Sequence, residues 1–180
     1  MESIKKCCLC ELCKTRTQVV IGSGNLTSPI MLVGEAPGKN EDIKGIPFIG
    51  LSGQFLRKTL QSLSLMDNVY ITNIVKCRPP ENRDPNEFEI EKCFPYLLEQ
   101  IEIIKPNIVI GIGRISSEII HPGYIQKIHH GRFFAHDNFQ FMGTYHPSAA
   151  LRNSDFKEKM IADLTLLKSY CKTKNKFNIY

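Results

Sequence analysis

Ile30-Met31-Leu32-Val33-Gly34-Glu35-Ala36-Pro37-Gly38 joins a run of consecutive apolar residues to a tight turn carrying a carboxylate. A half-exposed strand would alternate apolar and polar residues. An unbroken apolar run instead suits a strand buried on both faces, as in a parallel sheet covered by helices. Val69–Asn73 and Asn107–Gly113 read the same way, and Phe139–Tyr145 supplies a fourth β-type run. Helical patterns lie between them, and strands alternating with helices predict an α/β/α sandwich. The unusual residues gather where these runs end. Gly34-Glu35-Ala36-Pro37-Gly38 follows the first, Asn73 ends the second, and Tyr145-His146-Pro147-Ser148 follows the fourth. Ligands bind at the carboxyl ends of strands in open parallel sheets, so these residues are expected to share one site.

The spacing predicts helices over Gly53–Leu65, with Leu56, Leu60 and Leu63 on one face, and over Asp155–Cys171. In the second, Asp155 and Glu158 stand at capping-box spacing and Ile161, Leu164 and Leu167 form a stripe. A further helix is expected to start at Asp84-Pro85, with Asp84 as N-cap and Glu87 as capping residue. Pro95 should break it, starting another that carries Leu97, Leu98 and Ile101 to about Ile104. The Asp137-Asn138 pair suggests a hairpin turn feeding the last strand. With no repeat, low-complexity stretch or interior linker, residues 1–180 read as a single domain. Lys172, Lys174 and Lys176, interleaved with Phe177 and Tyr180, read as a frayed basic tail at 172–180.

Hydrophobic residues make up 42% of the 180, the composition of a folded domain. No apolar run reaches the roughly 20 residues that cross a bilayer. Met1–Leu12 carries two lysines but no apolar stretch before its cysteines, so export is not expected and a reducing cytoplasm is the default compartment. A net charge of +5 permits a polyanionic partner without requiring one. Four of the seven cysteines (Cys7, Cys8, Cys10 and Cys13) fall within seven residues, which in a reducing compartment points to metal binding rather than disulfides.

Cys7-x-x-Cys10 sets two thiolates within reach of one metal centre, and Cys10-x-x-Cys13 is an equally good local pair. Cys77 and Cys93 supply a second pair, separated by fifteen residues. Four thiolates suit tetrahedral zinc or an iron–sulfur cluster, and spacing does not choose between them. Cys171, at the end of a helix, reads as a free buried thiol. The Gly34–Gly38 turn lacks the Gly-Lys-Ser/Thr ending of a phosphate-binding loop, and Glu35, Glu41 and Asp42 would repel phosphate. Phe48, in Pro47-Phe48-Ile49-Gly50, is an aromatic on a loop near the same strand end. Asn73 is a poor strand former at the end of Val-Tyr-Ile-Thr, so it either caps a turn or reads a ligand. His121, His129, His130 and His136 form no paired ligand set.

Taken in order and spacing, these fragments resemble family 4 uracil-DNA glycosylases, the iron–sulfur branch of the uracil-DNA glycosylase superfamily. The resemblance runs from Cys7 to about Leu167. It includes Cys7-x-x-Cys10-x-Leu12-x-x-x-Arg16, Gly34-Glu35-Ala36-Pro37-Gly38 with Glu41-Asp42, and Gly45-x-Pro47-Phe48-x-Gly50. It continues through Tyr70-Ile71-Thr72-Asn73-Ile74-Val75-Lys76-Cys77-Arg78-Pro79-Pro80, Asn82-Arg83-Asp84-Pro85, Cys93-x-Pro95-Tyr96-Leu97 and His146-Pro147-Ser148. The resemblance implies a parallel four-stranded sheet between helices. It also implies a 4Fe–4S cluster on Cys7, Cys10, Cys77 and Cys93 that ties the N-terminus to the loop after the second strand.

The implied activity is hydrolysis of the N-glycosidic bond of deoxyuridine in DNA, releasing uracil and leaving an abasic site for base excision repair. Phe48 would stack on the flipped uracil, Asn73 pair with its O4 and N3–H, and His146 contact O2. Gly34, Glu35 and Ala36 would approach the base and the attacking water, with Glu35 steering the water or stabilising the cationic sugar. Glu41 would crowd uracil C5 and exclude thymine, and Ser148, Leu151 and Arg152 would belong to a loop entering the duplex. A crosslinking relative carries a nucleophilic histidine after its second strand. Arg78–Lys92 contains none, so turnover rather than trapping is expected. The implied partner is uracil-containing DNA, single- or double-stranded, bound by a monomer. The alternative is a non-catalytic DNA-binding module on the same fold, such as a phage polymerase-associated domain. Such a module needs none of Phe48, Asn73 and His146, and a cluster-bearing redox protein would leave them without purpose.

Overall fold

The computed structural model describes residues 2–173. One sheet has the order β2-β1-β3-β5-β4, built from β1 (Ile30–Gly34), β2 (Val69–Asn73), β3 (Ile108–Ile112), β4 (Phe133–Ala135) and β5 (Gln140–Thr144). The first three strands and β5 pair in parallel, and β4 runs antiparallel along the outer edge of β5. The sheet therefore has five strands where four were expected. The expected hairpin turn is present, but its first arm, Phe133-Phe134-Ala135, is only three residues long and lacks a buried face, too short a run to read as a strand of its own.

Among the described residues eight α-helices surround the sheet: α1 (Glu2–Lys5), α2 (Lys39–Lys44), α3 (Leu51–Ser62), α4 (Glu87–Ile104), α5 (Arg114–Ile120), α6 (Gln126–His129), α7 (Pro147–Ala150) and α8 (Ser154–Thr173). Alternate strand residues feed two cores. Ile30, Leu32, Ile71 and Ile110 pack with Leu56 and Leu60 of α3 and with Met160, Leu164 and Leu167 of α8. Met31, Val33, Val109 and Phe141 pack on the other face with Leu97 and Ile104 of α4 and Ile120 of α5. Each such fully buried side chain stabilises the fold by roughly 1.5–3 kcal/mol. These two cores make the three-layer α/β/α sandwich.

The helices depart from expectation at their ends and at one proline. Asn86, not Asp84, caps α4: its side chain accepts from Glu89 N and Glu89 accepts from Asn86 N, each at 2.9 Å. Pro95 does not break this helix. It lies on the exposed face, where the carbonyl it leaves without an N–H partner can bond water. Leu98 consequently points outward. At α8, Asn153 accepts from Asp155 N at 2.9 Å in place of the expected Asp155–Glu158 box. The buried stripe of α8 is Met160, Leu164, Leu167 and Cys171, while Ile161 is exposed. Cys171 is buried as expected, Lys172 is exposed, and the remaining tail residues Lys174, Lys176, Phe177 and Tyr180 lie outside the described residues.

The chain leaves β1 toward β2 on one side and later places β3 on its other side. A crevice opens beyond the strand ends at such a reversal. The loop that reaches over it holds Phe48 with φ at 54°, a left-handed backbone that a phenylalanine adopts only when its surroundings impose it. Arg57 of α3 donates to the carbonyls of Phe48 (2.9 Å) and Pro47 (2.8 Å). Gly53 lets α3 approach the Phe48 backbone so closely that a Cβ there would collide with it. Gly→Ala inside a helix ordinarily stabilises by about 1 kcal/mol. Here Gly53→Ala should instead destabilise by about 1–3 kcal/mol, because the helix must move off the loop. A lower urea midpoint at unchanged slope is the expected result, and a raised midpoint would contradict this packing.

Candidate active site

A cleft of about 1020 Å³ opens beyond the carboxyl ends of the strands. Glu35, Ala36, Glu41, Phe48, Asn73 and His146 all line it, so most residues expected in the site converge there. Gly34 has a different part. A Cβ on it would strike both the Asn73 amide oxygen and the tip of the Phe48 ring, so the bare glycine is what lets those two side chains close over the end of β1. Asn73 is 2% exposed, and its carboxamide borders the cleft with no hydrogen bond to another described side chain. The centroids of the Phe48 and His146 rings lie 6.0 Å apart at 38°.

Glu41 lines the cleft, and it also holds the aromatic loop. Its Oε1 accepts from Ile49 N at 2.9 Å and Gly50 N at 2.8 Å, directly after the strained Phe48. Its neighbour Asp42 is buried and turned the other way, accepting from Thr17 N at 2.9 Å and 3.0 Å. Asp42 therefore anchors the N-terminal segment to α2, and of Glu35, Glu41 and Asp42 only the two glutamates line the cleft.

His146 precedes α7. Its Nδ1 accepts from Ser148 N at 3.2 Å and lies 2.7 Å from Ser148 Oγ. With Nδ1 accepting, the ring proton belongs on Nε2, the nitrogen left for the cleft. Burial, with the Arg152 guanidinium adding, pushes the imidazole down to about 4. At neutral pH it is thus an uncharged ring with one N–H to give. Ser148, expected to contact DNA, turns its hydroxyl to this histidine. The stretch expected to be a loop is a single helical turn, after which Leu151 and Arg152 are exposed at the rim.

Glu35 sits on the turn after β1. Burial raises its carboxyl to about 7, Asp84 adds to the rise, and Arg114 opposes it. Asp84 has this influence because it is not spent as a helix cap. Arg83 meets the buried Glu89 through two bonds, Nη1 to Oε2 at 2.9 Å and Nη2 to Oε1 at 2.7 Å. With the Asn86 cap, this pins the segment that presents Asp84 to the cleft.

Next to the chain that follows β2, Cys7, Cys10, Cys77 and Cys93 border one small cavity together with Cys13, whereas Cys8 does not. Donors aim at the sulfurs: Arg16 Nη1 reaches Cys77 Sγ at 3.1 Å and Lys76 N reaches Cys93 Sγ at 3.2 Å. Such donors stabilise thiolate charge. Among the described residues no group of three or more His, Cys, Asp or Glu is arranged around a single ion. The thiols ring a space instead.

Lys76 is the residue that sequence reading passed over. It is 1% exposed, and its ammonium meets Asn73 O at 2.5 Å, Gln100 Oε1 at 2.6 Å and Thr72 Oγ1 at 2.8 Å. Burial lowers it to about 7, while Cys93 pulls the other way. The available signal was a lysine four residues after Thr72 inside an otherwise buried stretch. Its partner Gln100 comes from a helix 24 residues away in the chain, a proximity that no local pattern encodes.

The chain is similar to known proteins over most of its length. A type-4 uracil-DNA glycosylase from Saccharolobus solfataricus is 39% identical, over 96% of this chain and 85% of that protein. One from Pyrobaculum aerophilum is 41% identical, over 92% of this chain and 89% of its own length. For the one from Thermotoga maritima the identity is 38%, over 95% and 92%. Residues 21–165, which hold every residue of the cleft described above, match the model of the uracil DNA glycosylase superfamily, and the chain belongs to that superfamily.

Proposed function

We propose that this protein hydrolyses the N-glycosidic bond of deoxyuridine in DNA, releasing uracil and leaving an abasic site. The observation that carries the reading is the fixed, neutral His146, its Nδ1 held by Ser148 and its Nε2–H left for a ligand beside Phe48 and Asn73. Uracil must leave the base stack before its glycosidic bond is reachable. Phe48 offers it a face, and the Asn73 carboxamide has the donor and acceptor that match O4 and N3–H. As the bond breaks, negative charge grows on the base, and a preorganised N–H at O2 stabilises it. An uncharged donor suits this task, since it holds its geometry without first giving up a proton. Glu35, as the carboxylate, orients the water that adds to the sugar and offsets the sugar's growing positive charge. Glu41 keeps the stacking loop in place and stands in the cleft where it would crowd a C5 methyl. The exposed Leu151 and Arg152 would meet the strand around the flipped nucleotide. Conversion of a dU-containing oligonucleotide to free uracil and an alkali-labile site tests the activity. His146→Ala should lower single-turnover release on the order of a hundredfold or more while substrate binding changes little. A rate within a few-fold of wild type would remove His146 from the chemistry.

The raised carboxyl of Glu35 gives the reaction a pH dependence of definite sign. Glu35 is protonated below about 7 and ionised above it, so the rate should climb as pH rises through that value and then level. His146 stays neutral across this range and adds no limb. Glu35→Gln should be slow and flat over roughly pH 6 to 8. A wild-type profile that is already flat there would exclude Glu35 as the working carboxylate.

The ligands proposed for a 4Fe–4S cluster are Cys7, Cys10, Cys77 and Cys93. They fit the group on the shared cavity and on the donors from Arg16 and Lys76. When bound, the cluster would hold the N-terminal segment against the loop after β2. Anaerobically purified protein should be brown, with about four iron and four sulfide per chain. Cys93→Ala should lose the iron and most of its solubility, while Cys171→Ala should keep both. Colourless, zinc-loaded and fully active protein would overturn the assignment. Each chain carries the whole cleft, so a monomer suffices. Among the described residues no helix is long and apolar enough to cross a membrane.

A further inference from the structure

Burying an ammonium costs several kcal/mol of lost hydration unless its donors are all met. Lys76 meets that condition with three acceptors, among them the main-chain carbonyl of Asn73. An apolar side chain of similar volume would fill the same space without the desolvation, so packing alone gives no reason for a lysine. The acceptors are themselves anchored. Gln100 Nε2 donates to Ile21 O at 2.9 Å, and the Thr72 hydroxyl donates to the same carbonyl at 2.7 Å. The main chain of Lys76 is held at both ends, its N–H on Cys93 Sγ at 3.2 Å and its carbonyl by Val20 N at 2.8 Å. The chain after Asn73 is also held on the sheet side, where Ile74 N bonds Gly34 O at 2.8 Å and Val75 N bonds Glu35 O at 2.9 Å.

We propose that Lys76 is a positioning residue for uracil recognition, its buried amino group donating to the Asn73 carbonyl so that the Asn73 carboxamide is held in the register that reads the base. The proposal rests on the reading that Asn73 pairs with uracil, and it adds a route by which the cysteine cavity is joined to the base pocket: Cys93 to Lys76 to Asn73. Displacing a binding group by about 1 Å costs on the order of a hundredfold in rate, so a grip on the backbone below the amide is expected to appear in the chemical step.

A double-mutant cycle on iron-loaded protein tests it. Asn73→Ala comes first: wild-type uracil release in that variant would sink the reading of Asn73 itself, before Lys76 is considered. Given a slow Asn73→Ala, Lys76→Met should lower single-turnover release about tenfold or more in the native background. It should change the Asn73→Ala rate by less than about twofold, with iron content and substrate binding unaltered. A general structural loss would instead lower both backgrounds by the same factor, and equal factors overturn the proposal, as does a Lys76→Met rate close to wild type. If Lys76→Met is insoluble, Thr72→Val, which keeps the volume and removes one of the three acceptors, runs the same cycle. A several-fold loss confined to the native background supports the grip, and equal losses or none overturn it.

Discussion

The end of β1 has room for backbone only. Because Gly34 has no side chain, the Asn73 amide and the Phe48 ring meet over it, and the pocket floor is set by van der Waals contact with a main chain. Close packing of this kind transmits any misfit directly. The aromatic is accordingly fixed from several directions, by two N–H bonds to Glu41, two carbonyls held by Arg57 and the bare backbone of Gly53. The left-handed Phe48 is stable only inside that frame.

Two titratable groups that line the cleft are driven apart by their surroundings. Burial makes the imidazole of His146 a weak base and the carboxyl of Glu35 a weak acid. Loss of hydration penalises the charged form in each case, which for histidine is the acid and for glutamate the base. One pocket thus offers a neutral hydrogen-bond donor and a carboxyl that ionises near neutrality. Ser148 and Asp84 refine the pair, the first by choosing the tautomer and the second by adding repulsion.

The cysteines and the base pocket line separate cavities, yet they are not mechanically independent. The four residues from Asn73 to Lys76 run from one to the other, held by Gly34 O and Glu35 O on the β1 side, by Cys93 and Gln100 of α4 and by Val20 of the N-terminal segment. The segment that carries four clustered cysteines is held against the sheet by Asp42 on Thr17 and by Val20 on Lys76.

The sequence alone determined the layered α/β architecture, because a strand buried on both faces must be apolar on successive residues whatever its neighbours are. It also determined that Glu35, Asn73 and His146 fall at strand ends, since chain direction in a parallel sheet sends every such end to one side. Local chemistry was less certain where two solutions were close in energy. Asn86 displaced Asp84 as a cap because Glu89 completes a reciprocal pair and Arg83 neutralises it. Pro95 was tolerated because it faces solvent, and β4 was too short to leave a pattern. Only the tertiary structure decided which atoms oppose which. That Glu41 clasps the Phe48 loop, that Ser148 sets the histidine's proton, and that Lys76 spends its charge on the Asn73 carbonyl are relations between segments brought together by packing. Hydrogen bonds act over about 3 Å, and no spacing along the chain measures that distance.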